Sequence, residues 1–312
     1  MSHLRNLKEA NLDTDSLVTI GVFDGVHLGH QQLIQRLVDS ARASGRKAVV
    51  LTFYPHPDKV LETVKTRYYL MTPEKRAEQL LKLGVDLVVT HPFDNETRHL
   101  PAARFIDLLI ERLRIKELWV GADFALGFQR KGDVRYLRAQ GEIRGFKVTA
   151  VELITAHSSD EFIRSSVIRD HVRNGNMRAA SAMLGRAYTM EGPVVAGEQR
   201  GRSIGVPTAN LSVWSEQIIP ANGVYATWAR IGGESFPAAT NVGSRPTFAG
   251  DAVTIEAHLL DFDRDIYGEF MELAFERRLR PEQKFSSLDD LVAQIQTDIA
   301  ETRRSLQRHQ SV

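Results

Sequence analysis

The chain predicts an α/β domain followed by an all-β domain. Three observations carry this reading. Apolar strand-like runs alternate with amphipathic helical runs up to about Leu184, and short alternating runs punctuated by glycine and proline take over after Tyr188. A loop with two glycines and two histidines joins the first strand to the first helix. The boundary falls near Leu184-Gly185-Arg186, which gives domains 1–184 and 185–312 joined by a short connector.

Leu17 to Phe23 is a short apolar run between Asp15-Ser16 and Asp24-Gly25, the pattern of a buried strand. From His30 onward Leu33, Ile34, Leu37, Val38 and Ala41 recur at spacings of three and four, so a helix beginning near Leu28 or Gly29 buries one face. Ala48 to Phe53 reads as a strand, Pro73 to Leu83 as a helix ending at Gly84, and Val85 to Thr90 as a strand. Ala102 to Leu113 then reads as a helix and Leu118 to Gly121 as a further strand. This order predicts a doubly wound, mostly parallel sheet whose ligands lie beyond the carboxyl ends of its strands. Ser165 to Arg173 follows as a helix. In the second part Met190 to Ala196, Gly223 to Ile231, Phe236 to Val242, Val253 to Leu260 and Glu269 to Phe275 are expected as antiparallel strands. They predict a sandwich or small barrel, closed by a helix from Leu288 to Arg304.

The chemically loaded segments fall at the strand ends of the first domain. In Phe23-Asp24-Gly25-Val26-His27-Leu28-Gly29-His30 the backbone N–H groups of a helix start attract phosphate, and Gly25 and Gly29 let the backbone approach it. His27 and His30, three residues apart, add two directed donors for the oxygens of a nucleotide triphosphate. Ordinary capping histidines are the plainer alternative, and the coincidence of strand, loop, glycines and helix argues against it. Tyr54-Pro55-His56-Pro57 and Gly121-Ala122-Asp123-Phe124 end later strands, and His56 is expected at the rim of the site. Ser165, Ser166 and Arg169 fit either a second phosphate contact or a plain capped helix.

In the second domain Gly201 to Asn210 is a glycine-rich loop in which the Thr208 hydroxyl and Asn210 amide oxygen are hard ligands fit for Mg²⁺. A glycine-rich hairpin with a polar turn is the alternative. Glu256 lies on a strand whose Val253, Ile255, Ala257 and Leu259 share the other face, so its carboxylate is held rigidly as a candidate general base or as an ordinary outer-face glutamate.

With 312 residues, 43% of them hydrophobic, the chain has material for two cores. Its 40 basic and 39 acidic residues leave a net charge of +1, and no basic stretch is interleaved with aromatics, so no nucleic-acid partner is expected. The absence of cysteine excludes disulfides, thiolate metal sites and cysteine nucleophiles. No apolar run reaches transmembrane length and the first fifteen residues are too polar for a secretory signal; no membrane partner and a cytoplasmic location are expected.

Gly21 to Gln31, Thr52 to Pro57, Gly121 to Phe124, Leu184 to Tyr188, Gly205 to Leu211, Asn241 to Phe248 and Glu256 to Gly268 resemble, in order over nearly the whole chain, the bacterial bifunctional riboflavin kinase/FAD synthetases. Two segments depart from the family's usual pattern, Ala125-Leu126 and Arg164 to Arg169. The resemblance implies a Rossmann-like nucleotidylyltransferase domain that transfers AMP from ATP to FMN, and a β-barrel that phosphorylates riboflavin. It further implies His27 and His30 on the phosphates and Phe23, Gly25, Asp123, Ser165, Ser166 and Arg169 around ATP or FMN. In the barrel it implies Gly205, Thr208 and Asn210 on the nucleotide and Mg²⁺, with Glu256 as base. A riboflavin kinase with a non-catalytic first domain, or a flavin- or nucleic-acid-binding regulator, are the alternatives.

Overall fold

The computed structural model describes residues 2–61, 63–64, 67–151, 163–197, 205–247 and 250–307. They divide into two compact units, Met1–Thr66 with Met71–Ser165, and Arg67–Leu70 with Ser166–Val312.

The first unit contains, in chain order, β1 (Ser2–Leu4), β2 (Ser16–Ile20), α1 (Leu28–Ala43), β3 (Lys47–Tyr54), α2 (Pro57–Val60), α3 (Pro73–Lys82), β4 (Leu87–Pro92), α4 (Asn95–His99) and α5 (Ala102–Leu113). There follow β5 (Ile115–Gly121), the short antiparallel pair β6 (Ala125–Leu126) and β7 (Gly132–Asp133), α6 (Val134–Arg144) and β8 (Lys147–Val151). Six strands pair in parallel in the order β1-β4-β3-β2-β5-β8. The two-residue alternation of side chains splits the apolar runs between two cores. Val18, Ile20, Val49, Leu51 and Val89 join Phe105, Ile106 and Leu109 of α5. Leu17, Ala48, Val50 and Val88 join Ile34, Leu37 and Val38 of α1 on the other face. Burial on both faces is why these strands read as unbroken apolar runs.

From β2 the chain winds outward through β3 and β4, then returns to the opposite side of β2 at β5. This switch point opens a crevice beyond the carboxyl ends of β2 and β5. Strand β2 ends at Ile20, earlier than the apolar run suggests, because Phe23 takes a left-handed φ of 53° that no strand accepts. Helix α6 escaped the sequence reading because its pattern is broken. Ile143 is 77% exposed, and Gly141 lies on the buried side, where a Cβ would stand 2.3 Å from the Phe146 carbonyl oxygen.

The second unit contains α7 (Ser165–Arg173) from Ser166 onward, α8 (Met177–Leu184), β9 (Tyr188–Val195), β10 (Ala209–Leu211), β11 (Gly223–Ile231), β12 (Glu234–Thr247), β13 (Gly250–Leu259), β14 (Phe270–Arg280) and α9 (Leu288–Gln307). The strands form a closed antiparallel barrel in the order β10-β13-β12-β11-β14-β9, with β9 pairing back to β10. Helix α9 packs on β11, β12 and β14. Its buried Asp298 takes a double hydrogen bond from Arg280 Nε and Nη2 at 2.8–3.1 Å. Contacts group α8 with β9 and β14, so the compact units part at Ser165/Ser166, ahead of the 184/185 division expected from sequence.

Candidate active sites

The loop after β2 is conformationally demanding. Phe23, Gly25 and Val26 have φ of 53°, 82° and 40°. Glycine adopts this region freely, but bulky Phe23 and β-branched Val26 do so at a cost of about 1–3 kcal/mol each. The Phe23 ring folds back over Gly21, where a Cβ would lie 2.9 Å from Cζ. Three hydrogen bonds to the loop's carbonyls hold the backbone. Thr52 Oγ1 (2.8 Å) and Arg76 Nη1 (2.9 Å) donate to Val22 O, and Ser165 Oγ donates to Asp24 O at 2.9 Å.

The result places His27 at the N-cap of α1, where its Nδ1 accepts the His30 backbone N–H at 3.3 Å. An accepting Nδ1 puts the neutral ring's proton on Nε2, which leaves a directed donor. The His30 ring stacks on His27 with centroids 3.5 Å apart and planes 18° apart, while Phe23 meets His30 edge-on at 5.1 Å. Burial above all, then the neighbouring His27 and Arg76, hold His30 well below the usual imidazole value of 6.5. Two rings this close resist carrying charge together, so His30 is held neutral. Its Nδ1 is shielded from solvent and has no hydrogen-bond partner among the described residues. Gly29 allows this stack: a Cβ there would touch the His27 ring at 3.3 Å.

Asp123 follows β5 on the other side of the switch point and is exposed. Its carbonyl oxygen accepts from Arg130 Nη2 at 2.9 Å, which brings a cation to this turn after the uncharged Ala125-Leu126. His56, expected at the rim of the site, follows β3. Its ring caps α2 by accepting Asp58 N–H at 3.1 Å and is largely covered. Arg169 is buried in the second unit, its guanidinium 3.8 Å over the Tyr68 ring and its Nε donating to Tyr68 O at 2.9 Å. Ser166 lies in the first turn of α7.

Arg76 carried no sequence signal as a site residue. It is 2% exposed and its second guanidinium nitrogen donates to Phe53 O at 2.9 Å, so one side chain ties together the ends of β2 and β3. Its spacing of four from Leu80 puts it on the buried face of α3, which does not by itself mark a site residue.

In the barrel, strand register assembles the site. Asn210 of β10 lies opposite Glu256 of β13, which lies opposite Asn241 of β12. Directly opposed residues share a face. The alternate residues Ile255, Ala257 and Leu259 are buried, so this row looks outward. The Asn210 amide packs against Gly197, where a Cβ would stand 2.1 Å from Nδ2.

A cavity of about 380 Å³ lies beside this row, lined by Pro207, Thr208 and Ala209 and by residues 262–267. His258 Nδ1 donates to Pro207 O at 2.8 Å and fixes the cavity's first wall. Asp261 anchors the second: Arg303 grips its carboxylate at 2.6 and 2.7 Å and holds it below the usual carboxylate range. Gly205 has φ of 75°, a turn that only glycine makes without strain. Gly201 to Ile204 and Phe248 lie outside the described residues.

Residues 9–167 match the FAD synthetase family model and residues 184–306 match the riboflavin kinase model. The chain is 38% identical to the bifunctional riboflavin kinase/FMN adenylyltransferase of Listeria monocytogenes, over 93% of this chain and 92% of that protein. The chain belongs to the bifunctional riboflavin kinase/FMN adenylyltransferase family. The Escherichia coli member is 37% identical over 95% of this chain and 94% of its own length.

A crystal structure from Streptococcus pneumoniae, described as a macrolide-efflux protein, is 32% identical with a TM-score of 0.89, covering 97% of this chain and 98% of that one. In the present family member no described helix is long and apolar enough to cross a membrane. The order of the two family matches reproduces the order of the two folds, and having both in one chain favours two activities over a kinase with a merely binding first domain. Enzymes of both kinds use ATP with a divalent metal.

Proposed function

We propose that this chain makes FMN on its barrel and FAD on its parallel sheet, with the functional division between 184 and 185. It phosphorylates riboflavin with ATP, and it transfers AMP from a second ATP to FMN with release of pyrophosphate. The observation that carries the residue assignment is one chain holding both a stacked histidine pair at a sheet switch point and a carboxylate in register with a loop amide.

On the barrel, the nucleotide occupies the cavity and its phosphates run past Thr208 toward Asn210 and Glu256. Glu256 accepts the proton of the riboflavin 5′-hydroxyl as that oxygen bonds to the γ-phosphorus, the β–γ bridging P–O bond breaks, and ADP leaves. The Thr208 hydroxyl and Asn210 amide oxygen are hard oxygen donors suited to Mg²⁺. Mg²⁺ there neutralises phosphate charge.

On the sheet, an FMN phosphate oxygen attacks the α-phosphorus of ATP and the α–β bridging bond breaks. The attacking phosphate is already ionised at neutral pH and needs no general base. Catalysis is alignment and stabilisation of charge on the departing pyrophosphate, supplied by His27, His30 and the amides of α1. Phe23, Gly25 and Gly29 shape the approach, and Asp123, Ser165, Ser166 and Arg169 are proposed around ATP or FMN. We place both reactions in the cytoplasm, where ATP is at hand.

The test is chromatography of flavins after the purified chain is given Mg-ATP with riboflavin, and separately with FMN. FMN followed by FAD from the first mixture, and FAD from the second, are expected. FMN without FAD in both mixtures would leave only a kinase, and neither product would overturn the assignment.

A further inference from the structure

The outward row of the kinase site continues beyond Glu256 into groups that no step above uses. One residue pair further along the same two strands, on the same face, Gly243 of β12 opposes Thr254 of β13. Two residues of strand rise place this pair about 7 Å from the Asn241–Glu256 pair. Gly243 has no side chain, and the space is filled from elsewhere. The Glu282 carboxylate, beyond the end of β14, sits with Oε1 2.6 Å from where a Gly243 Cβ would be. Asn241 Nδ2 and Thr254 Oγ1 each lie 3.4 Å from that same point. The carboxylate is tethered: Asn222 Nδ2 donates to Glu282 Oε2 at 3.1 Å and to Ser244 Oγ at 3.1 Å. A glutamate that is otherwise exposed is thereby held in place over the sheet.

We propose that Glu282, with Asn241 and Thr254, forms the subsite for the secondary hydroxyls of the ribityl chain and so helps select a polyol-bearing flavin. This rests on the reading of Glu256 as the base for the 5′-hydroxyl. An acyclic polyol anchored there by its terminal hydroxyl runs along the strands, and its remaining hydroxyls fall over a span comparable with the distance to Glu282. Each hydroxyl is a donor that a carboxylate accepts strongly, and each also accepts from an amide or hydroxyl such as those of Asn241 and Thr254. A flavin side chain without hydroxyls would leave Glu282 desolvated and unanswered, which is how a polar site rejects an apolar analogue.

The experiment compares riboflavin with a flavin bearing a 5-hydroxypentyl chain, which keeps the terminal hydroxyl and lacks the three secondary ones. The KM for riboflavin and the Ki or KM of the analogue are measured in the kinase reaction. Glu282→Ala should raise the riboflavin KM about tenfold, Glu282→Gln should raise it less, and neither should change the constant for the analogue.

Gly243→Ala provides an independent route, because its Cβ collides only with the movable end of Glu282 and the backbone there needs no left-handed φ. It should reproduce the Glu282→Ala profile, and the double variant should add nothing. Phosphorylation of the hydroxypentyl analogue at an unchanged rate, with an unchanged barrel melting transition, reports that each variant is folded. Equal losses on both flavins, or no loss on riboflavin, would overturn the proposal. Kinase activity surviving in Glu256→Gln would instead remove the base assignment, a separate result.

Discussion

In the α/β unit the histidine rings follow a loop where Phe23 and Val26 hold left-handed backbone, whereas in the barrel Asn210, Glu256 and Asn241 stand on extended strands and are aligned by register. The first arrangement costs local strain and persists because Thr52, Arg76 and Ser165 fix the loop's carbonyls from three other elements. The second needs no strained residue in the row itself. A loop site therefore depends on supporting side chains from other elements, while a register site depends on the sheet's pairing and on the few small residues that leave room beside it. The two reactions make similar demands, phosphate alignment and charge neutralisation, and the two folds meet them by different means.

The largest expected effect separates the two regions chemically. Glu256→Ala should lower riboflavin phosphorylation by roughly 10²–10⁴ and leave FMN adenylylation intact, as read by separate assays on each flavin. Next, His30→Ala should lower FAD formation from FMN by about 10² while the kinase rate stays put. If either substitution silenced both reactions in a folded chain, the two sites would not be independent.

The dependence of the loop on remote support is tested by Arg76→Met. It strips donors from Val22 O and Phe53 O, each loss worth about 1–3 kcal/mol. Calorimetry should show the α/β unit melting earlier, with the barrel transition unchanged and adenylylation lost at temperatures where the kinase survives. Coincident shifts of both transitions would mean that the units unfold as one.

The smallest effect is a pH dependence confined to the α/β unit. His30 and the buried His91 both lie below the usual value of 6.5. Burial is the foremost cause in each; for His91 Lys8 adds to it, while Asp94 and Glu96 oppose it. Below pH 6.5 the unfolded chain takes up protons that the folded chain refuses, so stability is full above 6.5 and declines as pH falls toward the lowered values. His91 accepts the Leu7 N–H at 3.3 Å and meets Thr97 Oγ1 at 3.2 Å, so its protonation also breaks a bond. Thermal melts between pH 7 and about 5 should show a falling midpoint, and His91→Asn should flatten the fall. A fall of the same size in the barrel would assign it to other groups.

Much of the fold was legible because its signals are periodic and local. Ala102 to Leu113 and Ser165 to Arg173 are helices over the residues that their spacing indicates. The alternation around Glu256 places Ile255, Ala257 and Leu259 inside, as expected. The end of β2 was misread because apolarity continues through Val22-Phe23 after the backbone has left the sheet, and α6 was missed because Gly141 and Ile143 break its stripe. Within the sites, the histidines and the Thr208–Asn210 segment announced themselves by residue type and spacing. Arg76 and Glu282 did not, because an arginine in a helix and a glutamate after a strand have no distinguishing neighbours in sequence.

By itself the sequence determined most of the strands and helices, that two folds follow one another, and which side chains are candidates for phosphate chemistry; these rest on local periodicity, glycine placement and functional-group identity. Tertiary structure decided that His27 and His30 stack, that Arg76 reaches the carbonyls of two strands, and that Asn210, Glu256 and Asn241 fall in one row with Glu282 held beside it. Those relations join residues distant in the chain, and backbone torsion at Phe23 and Val26, strand register and burial fix them only once the whole sheet and barrel have closed.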